Sequence, residues 1–163
     1  MKQSFLVKIV LFLVFSFSSM AASKGVIVDV NLSPAGSFQI KGKLKGSVTQ
    51  KGDKLISNSL YASVQKFKTG MDLRDDHTKK KLEYKKYPKV EILKAAGKDG
   101  KGQAIIQIRS IKKKVSFTYK KLNSKYIQAV FNLSLKDFNF EGINYMGVGV
   151  KDIVKVTATV PVK

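Results

Sequence analysis

Residues 37–50, "SFQIKGKLKGSVTQ", alternate strictly between apolar or small residues and polar ones. Phe38, Ile40, Gly42, Leu44, Gly46 and Val48 fall on one side, and Gln39, Lys41, Lys43, Lys45, Ser47 and Thr49 on the other. Side chains of an extended strand point alternately to its two faces, so this period of two specifies a strand with one buried face and one wet, cationic face. The pattern recurs at Val26, Val28 and Val30; at Ile56, Leu60 and Val64; at Val90 and Ile92; and at Ala104, Ile106 and Ile108. It continues at Val115, Phe117 and Tyr119; at Ile127, Ala129, Phe131, Leu133 and Leu135; and at Val154, Val156, Ala158 and Val160. Eight strands are expected in all. Their connections, "SPAGS", "KGD", "GKDGKG", "SIKK" and "LNSK", are short and rich in turn formers. Such lengths suit antiparallel hairpins and leave no room for the helical crossovers of a parallel sheet.

Strands that are apolar on one face only must close into a barrel or pair as a sandwich to hide that face and their edges. The expected fold is therefore all-β, an eight-stranded antiparallel barrel with one short helical lid between strands 3 and 4. A barrel of this size is either filled by side chains or holds one small ligand. Its inward set is Phe38, Ile40, Leu44, Leu60, Ile92, Ile106, Phe117, Phe131, Leu133 and Val156, which would line a ligand channel or pack a dry core. Gly42 and Gly46, at inward positions, point to a cavity or to a strongly bent strand. The outward row Lys41, Lys43 and Lys45 excludes an outer-membrane barrel, because each lysine facing mid-bilayer lipid costs about 2–4 kcal/mol.

The N-terminus reads as a secretory signal peptide over residues 1–21, followed by one domain over residues 22–163. Lys2 and Lys8 frame a basic start, "IVLFLVFSF" is an apolar core, and "SSMAAS" offers small residues for cleavage after Ala21. The apolar run is well short of the ~20 residues that a membrane span needs. The chain has no cysteine, so it forms no disulfide despite an export signal that would permit one. A periplasmic or secreted protein, soluble after cleavage, is expected. The leader takes two of the 31 basic residues and none of the 11 acidic ones, leaving +18, and all of that basic charge is lysine except Arg74 and Arg109. Lysine is a hydrated point charge, which favours diffuse attraction to anionic membrane surfaces over nucleic-acid recognition.

One stretch departs from the alternation. "KTGMDLRDDHTKKKLEYKKYP", residues 68–88, concentrates charge and holds the only histidine. Asp72 is placed to cap a helix with Asp75 and Asp76 in its first turn and Lys79, Lys80 and Lys81 near its end, matching the helix dipole at both ends. Pro88 holds Tyr87 out of the helical region, so the helix should end by about residue 86.

These residues carry a resemblance. "FKTGMDLRDDHTKKKLEYKKYPKVEI", the opening "SPAGSF", the "KKVSFTY" hairpin and the closing "DFNFEGINYMGVGVKDIVKVTATVPV" are similar to the YceI-like family over essentially the whole mature chain. The motif residues are Thr69, Gly70, Arg74, Asp75, His77, Tyr87 and Pro88. The resemblance implies an exported, lipocalin-like β-barrel that holds a polyisoprenoid or other amphipathic lipid in a central channel. Thr78 stands where the family usually has leucine, and residues 92–96 lack the usual aromatic and serine.

Catalysis and metal binding are not expected. One histidine without cysteine is a poor set for a transition metal. His77 and Asp75, two apart on a helix, do not face each other, and no "GxSxG" elbow is present. No cofactor is implied beyond a bound lipid. A rival reading is a filled barrel that binds anionic polymers or membranes through its lysine surface.

Overall fold

The computed structural model describes residues 22–145 and 147–163; the expected signal peptide, residues 1–21, lies outside the described residues. The alternating segments form one curled antiparallel sheet. Its strands are β1 (Gly25–Ser33), β2 (Ser37–Gly42), β3 (Leu44–Gly46), β4 (Thr49–Lys51), β5 (Lys54–Ser57), β6 (Leu60–Ser63), β7 (Lys89–Lys98), β8 (Lys101–Ile108), β9 (Ile111–Lys121), β10 (Tyr126–Ser134), β11 (Asn144–Tyr145), β12 (Val148–Val150) and β13 (Ile153–Pro161). All eight expected segments are strands, two of them broken into shorter pieces, and the β11–β12 hairpin is additional.

From β1 the ladder runs through β13, β10, β9, β8 and β7. β7 pairs with β5 and β6, β6 pairs with β3, and β2 pairs back on β1. Because β2 and β3 are joined through Lys43, this segment curls the sheet back towards its first strand, giving the lipocalin-like architecture. Gly46 has φ +102°, and a Cβ there would stand 2.5 Å from the carbonyl of Ser59. A Cβ on Gly42 would stand 2.7 Å from the Phe67 ring. The two glycines thus mark a bend and a close packing contact, not the lining of a cavity.

The break between β5 and β6 at Asn58 and Ser59 corrects one expectation. Leu55 and Ser57 are buried and Ile56 is only half-buried, so the irregular residues reset the parity before Leu60. A bulge between Ile92 and Lys94 shifts the parity of β7 in the same way, and elsewhere the alternation holds. One core cluster joins Leu44, Leu55, Leu60, Val64, Phe67, Ile127 and Val160, and another joins Val30, Ile106, Phe131, Leu133, Phe138, Phe140, Val154 and Val156.

The helix α1 (Asp72–Lys81) lies between β6 and β7 as expected, with acids in its first turn and Lys79, Lys80 and Lys81 in its last. Its capping differs. Asp72 is the first helical residue and Met71 the cap, without a side-chain hydrogen bond. The brace comes from Asp75, only 3% exposed, whose Oδ1 accepts from the Thr69 backbone N–H at 2.6 Å and the Thr69 hydroxyl at 2.8 Å. Lys68 Nζ reaches the other carboxylate oxygen at 3.0 Å. The helix ends at Lys81, within the limit that Pro88 sets; Glu83 takes φ 53° and the chain continues in turns to Pro88.

Two predictions arise from these contacts. The Thr69 hydrogen bonds, aided by Lys68, hold the Asp75 carboxyl down to about 2. A depressed carboxylate stabilises the fold above its unfolded pKa of about 3.9 and loses that contribution as pH falls through the folded value. Asp75→Asn should therefore lower Tm at neutral pH by roughly 3–6 °C and flatten the Tm profile between about pH 4 and pH 2, as read by thermal denaturation across pH. At Gly102 a Cβ would stand 2.3 Å from Phe117 Cζ and 2.5 Å from the Ala96 carbonyl. Gly102→Ala should therefore destabilise the fold by about 1–3 kcal/mol, measured by urea unfolding.

Candidate functional site

All ten inward candidates lie on the interior side of the sheet. Leu44, Leu60, Ile106, Phe131, Leu133 and Val156 belong to the buried clusters, and Phe38, Ile40, Ile92 and Phe117 pack against them half-buried. The filling is uneven. Along β13 the inward residues Val154, Val156, Ala158 and Val160 are all buried. Along β9 the inward residues Ile111, Lys113, Val115, Phe117 and Tyr119 all remain half-buried. Side chains thus fill the interior beside β10 and β13 and leave it accessible beside β9.

The opening has a structural cause. β9 and β10 pair only from Thr118↔Val130 to Lys121↔Ile127. Beyond that point β9 pairs with β8 alone down to Ile111, and β10 pairs with β13 alone down to Ser134. An open cleft of about 710 Å³ sits where the strands part, lined by Phe117 and Phe131 together with Lys101, Gly102, Gln103, Ser116, Thr118, Val130 and Asn132. The Phe117 ring lies over Gly102, whose missing side chain makes the room.

At the lid end of this seam Arg109 ties the two sides together. It sits in the turn between β8 and β9 with φ 54° and donates to the carbonyls of Phe138 at 2.6 Å and Asn139 at 3.3 Å, in the segment that follows β10. It also donates to Glu83 Oε1 at 2.8 Å, and its guanidinium lies 4.3 Å from the Phe140 ring centroid. The split is therefore a window, bounded by the β9–β10 ladder at one end and the Arg109 clasp at the other.

The motif residues gather at the same end but do not form one constellation. Thr69 and Asp75 are bonded to each other, and Gly70 supplies a φ of +84° between them. Arg74 lies 4.5 Å from the ring centroid of Phe38 and so joins the lid to the inward face of β2. Tyr87 donates its backbone N–H to Glu83, and the Pro88 carbonyl accepts from Val64. His77 is exposed on α1. Among the described residues no group of three or more His, Cys, Asp or Glu side chains is placed to hold a metal ion.

Sequence reasoning missed Arg109 and Lys113. It placed a turn at "SIKK", whereas the turn is Arg109 and Ser110, and β9 begins at Ile111. The strand therefore starts three residues earlier, and Lys113 belongs to its inward row. The signal that was present is the "RS" pair followed by Ile111, Val115, Phe117 and Tyr119 at one parity, a row interrupted only by Lys113.

Comparisons with known proteins agree with this architecture. The family model described as YceI-like domain matches residues 17–162. Among functionally curated proteins none matches this chain. A polyisoprenoid binding domain from Saccharophagus degradans, implicated in plant cell wall breakdown, superposes with a TM-score of 0.62 at 12% identity, covering 86% of this chain and 93% of that one. A mutant of the CJ YCEI protein superposes with a TM-score of 0.54 at 16% identity, covering 99% of this chain and 97% of that one. A second mutant of that protein gives 0.53 at 14% identity over 73% and 80%. At these identities the structural likenesses speak for the fold, and the family match covers nearly the whole described chain: it belongs to the YceI-like domain family.

Proposed function

We propose that this chain is an exported binding protein, not an enzyme, that holds a polyisoprenoid or similar amphipathic lipid in its barrel interior for transport, storage or stress protection. The observation that carries this reading is the row of inward apolar side chains on β9, β2 and β7 that stay half-buried. Apolar surface left accessible inside a curled sheet is stabilised by an apolar guest, at about 0.8 kcal/mol for each buried CH₂. Membership of the family supports the reading, as does the binding property in the name of the Saccharophagus degradans domain.

Export follows from the leader, with cleavage after Ala21 giving a mature domain over residues 22–163. Among the described residues no helix is long and apolar enough to cross a membrane. Contact with an anionic membrane surface is assigned to the lid, where Met71 and Leu73 are about half exposed at the start of α1 and Lys79, Lys80 and Lys81 occupy its last turn. A lysine near such a surface contributes about 1 kcal/mol.

Native mass spectrometry of the exported protein, followed by organic extraction, tests the assignment. One stoichiometric isoprenoid that survives high salt is the expected result, on a chain whose N-terminus is Ala22. A guest-free mass that does not shift on adding isoprenoids would favour a filled barrel with surface binding instead. Phe117→Ala, at the half-buried ring over Gly102, should weaken lipid binding about tenfold or more, and a lipid titration of the variant checks this.

A further inference from the structure

Lys113 differs from every other lysine in the sheet. Its neighbours Lys112 and Lys114 are exposed, whereas Lys113 is half-buried and sits opposite Ile106, which is 2% exposed on the inward face. Ile111 and Val115, its neighbours on that face, pack against the apolar core. Among the described residues it is the one charged side chain at an inward position of the barrel strands, and it forms no ion pair with a described carboxylate. It also lies on the stretch of β9 that borders the window.

Placing an ammonium group on an apolar face costs desolvation unless an anion meets it. The surroundings favour an anion: β8, β9 and β10 carry Lys101, Lys112, Lys113, Lys114, Lys120 and Lys121 and no aspartate or glutamate. The window leads from solvent to Phe117 and Phe131, so a molecule lying there has apolar rings on its inner side and Lys101 at its rim, while Lys113 stands further along the same split, on the part of β9 that pairs with β8 alone. That arrangement fits an amphipathic molecule with an anionic head. Resting on the lipid-binding reading above, we propose that the window between β9 and β10 is the mouth of the lipid site. Lys113 binds the phosphate head group there, with the chain running inward past Phe117.

The test compares a long-chain prenyl phosphate, the corresponding prenyl alcohol and inorganic diphosphate as probes. Lys113→Gln should weaken binding of the prenyl phosphate about tenfold, as expected for loss of one charge-assisted hydrogen bond. Binding of the alcohol should be unchanged, which also shows that the variant is folded. Lys113→Arg should retain phosphate binding, Lys112→Gln should leave both lipids unaffected, and diphosphate in large excess should not displace the prenyl phosphate. Because the chain has no cysteine, Ser116→Cys carrying a bulky maleimide should slow lipid uptake, while the same label on Ser124→Cys at the far hairpin should not. Unchanged phosphate binding in Lys113→Gln, an equal loss in Lys112→Gln, displacement by diphosphate, or equal uptake with either label would overturn the proposal while leaving a lipid-binding barrel. If the wild-type protein binds neither prenyl lipid, the reading beneath it fails as well.

Discussion

The segment formed by β2 and β3 has to hydrogen-bond to two neighbours, β1 through its first half and β6 through its second. Without that exchange the apolar faces of eight strands would lie on an open sheet with two free edges, which is both costly and prone to pairing with other chains. The exchange needs a bend, and the bend needs Gly46 at φ +102°, where a side chain would meet the carbonyl of Ser59. It also needs a thin position at Gly42 so that Phe67 can pack inside the turn. The curled interior, the lid above it and the access beside β9 all depend on this closure.

Closure on one side of the sheet is accompanied by parting on the other. β9 and β10 share only a short ladder, and the chain compensates beyond it with the Arg109 clasp and the two buried rings Phe138 and Phe140. Arg109 suits this task because its planar fork serves Glu83 and the Phe138 carbonyl together while its face lies on Phe140. A lysine in that place would give up the stacking and one of the bonds. The lid is held separately, through Asp75 to Thr69 and through Arg74 to Phe38. The window is thus framed by fixed contacts on both sides, and its opening does not require the lid to move.

Much of this fold was legible because strand parity is a strict physical rule. The ten inward side chains fall on the expected face, since a residue two positions along a regular strand returns to the same side. Legibility ended where regularity did. Ile56 was misplaced because Asn58 and Ser59 interrupt the strand, an interruption that no apolar pattern announces. Lys113 was missed because lysine after serine and isoleucine resembles turn chemistry, whereas the left-handed residue of the turn is Arg109. Asp72 looked like the helix cap because its residue type suits that position; the buried Asp75 does the bracing, and only tertiary contact with Thr69 distinguishes the two. The channel role of the ten inward residues rests on the binding proposal and not on their placement.

The lysines of this protein then divide into two populations with different physics. Those on outward positions keep their charge in water, several lying against aromatic faces, as Lys45 and Lys89 do at 5.9 and 4.5 Å from the Tyr61 ring centroid. Their attraction to an anionic surface is diffuse and fades over a Debye length of about 8 Å at physiological ionic strength, so it can raise the rate of encounter but cannot choose among lipids. Lys113 stands on an apolar face, where water and salt screen less and a direct contact is stronger. On the proposed reading the outer lysines bring the barrel to a membrane and the inward one selects which lipid enters it. Selectivity then lies in a single half-buried charge, and a high net charge of the same sign, spread over the rest of the surface, does not blur it.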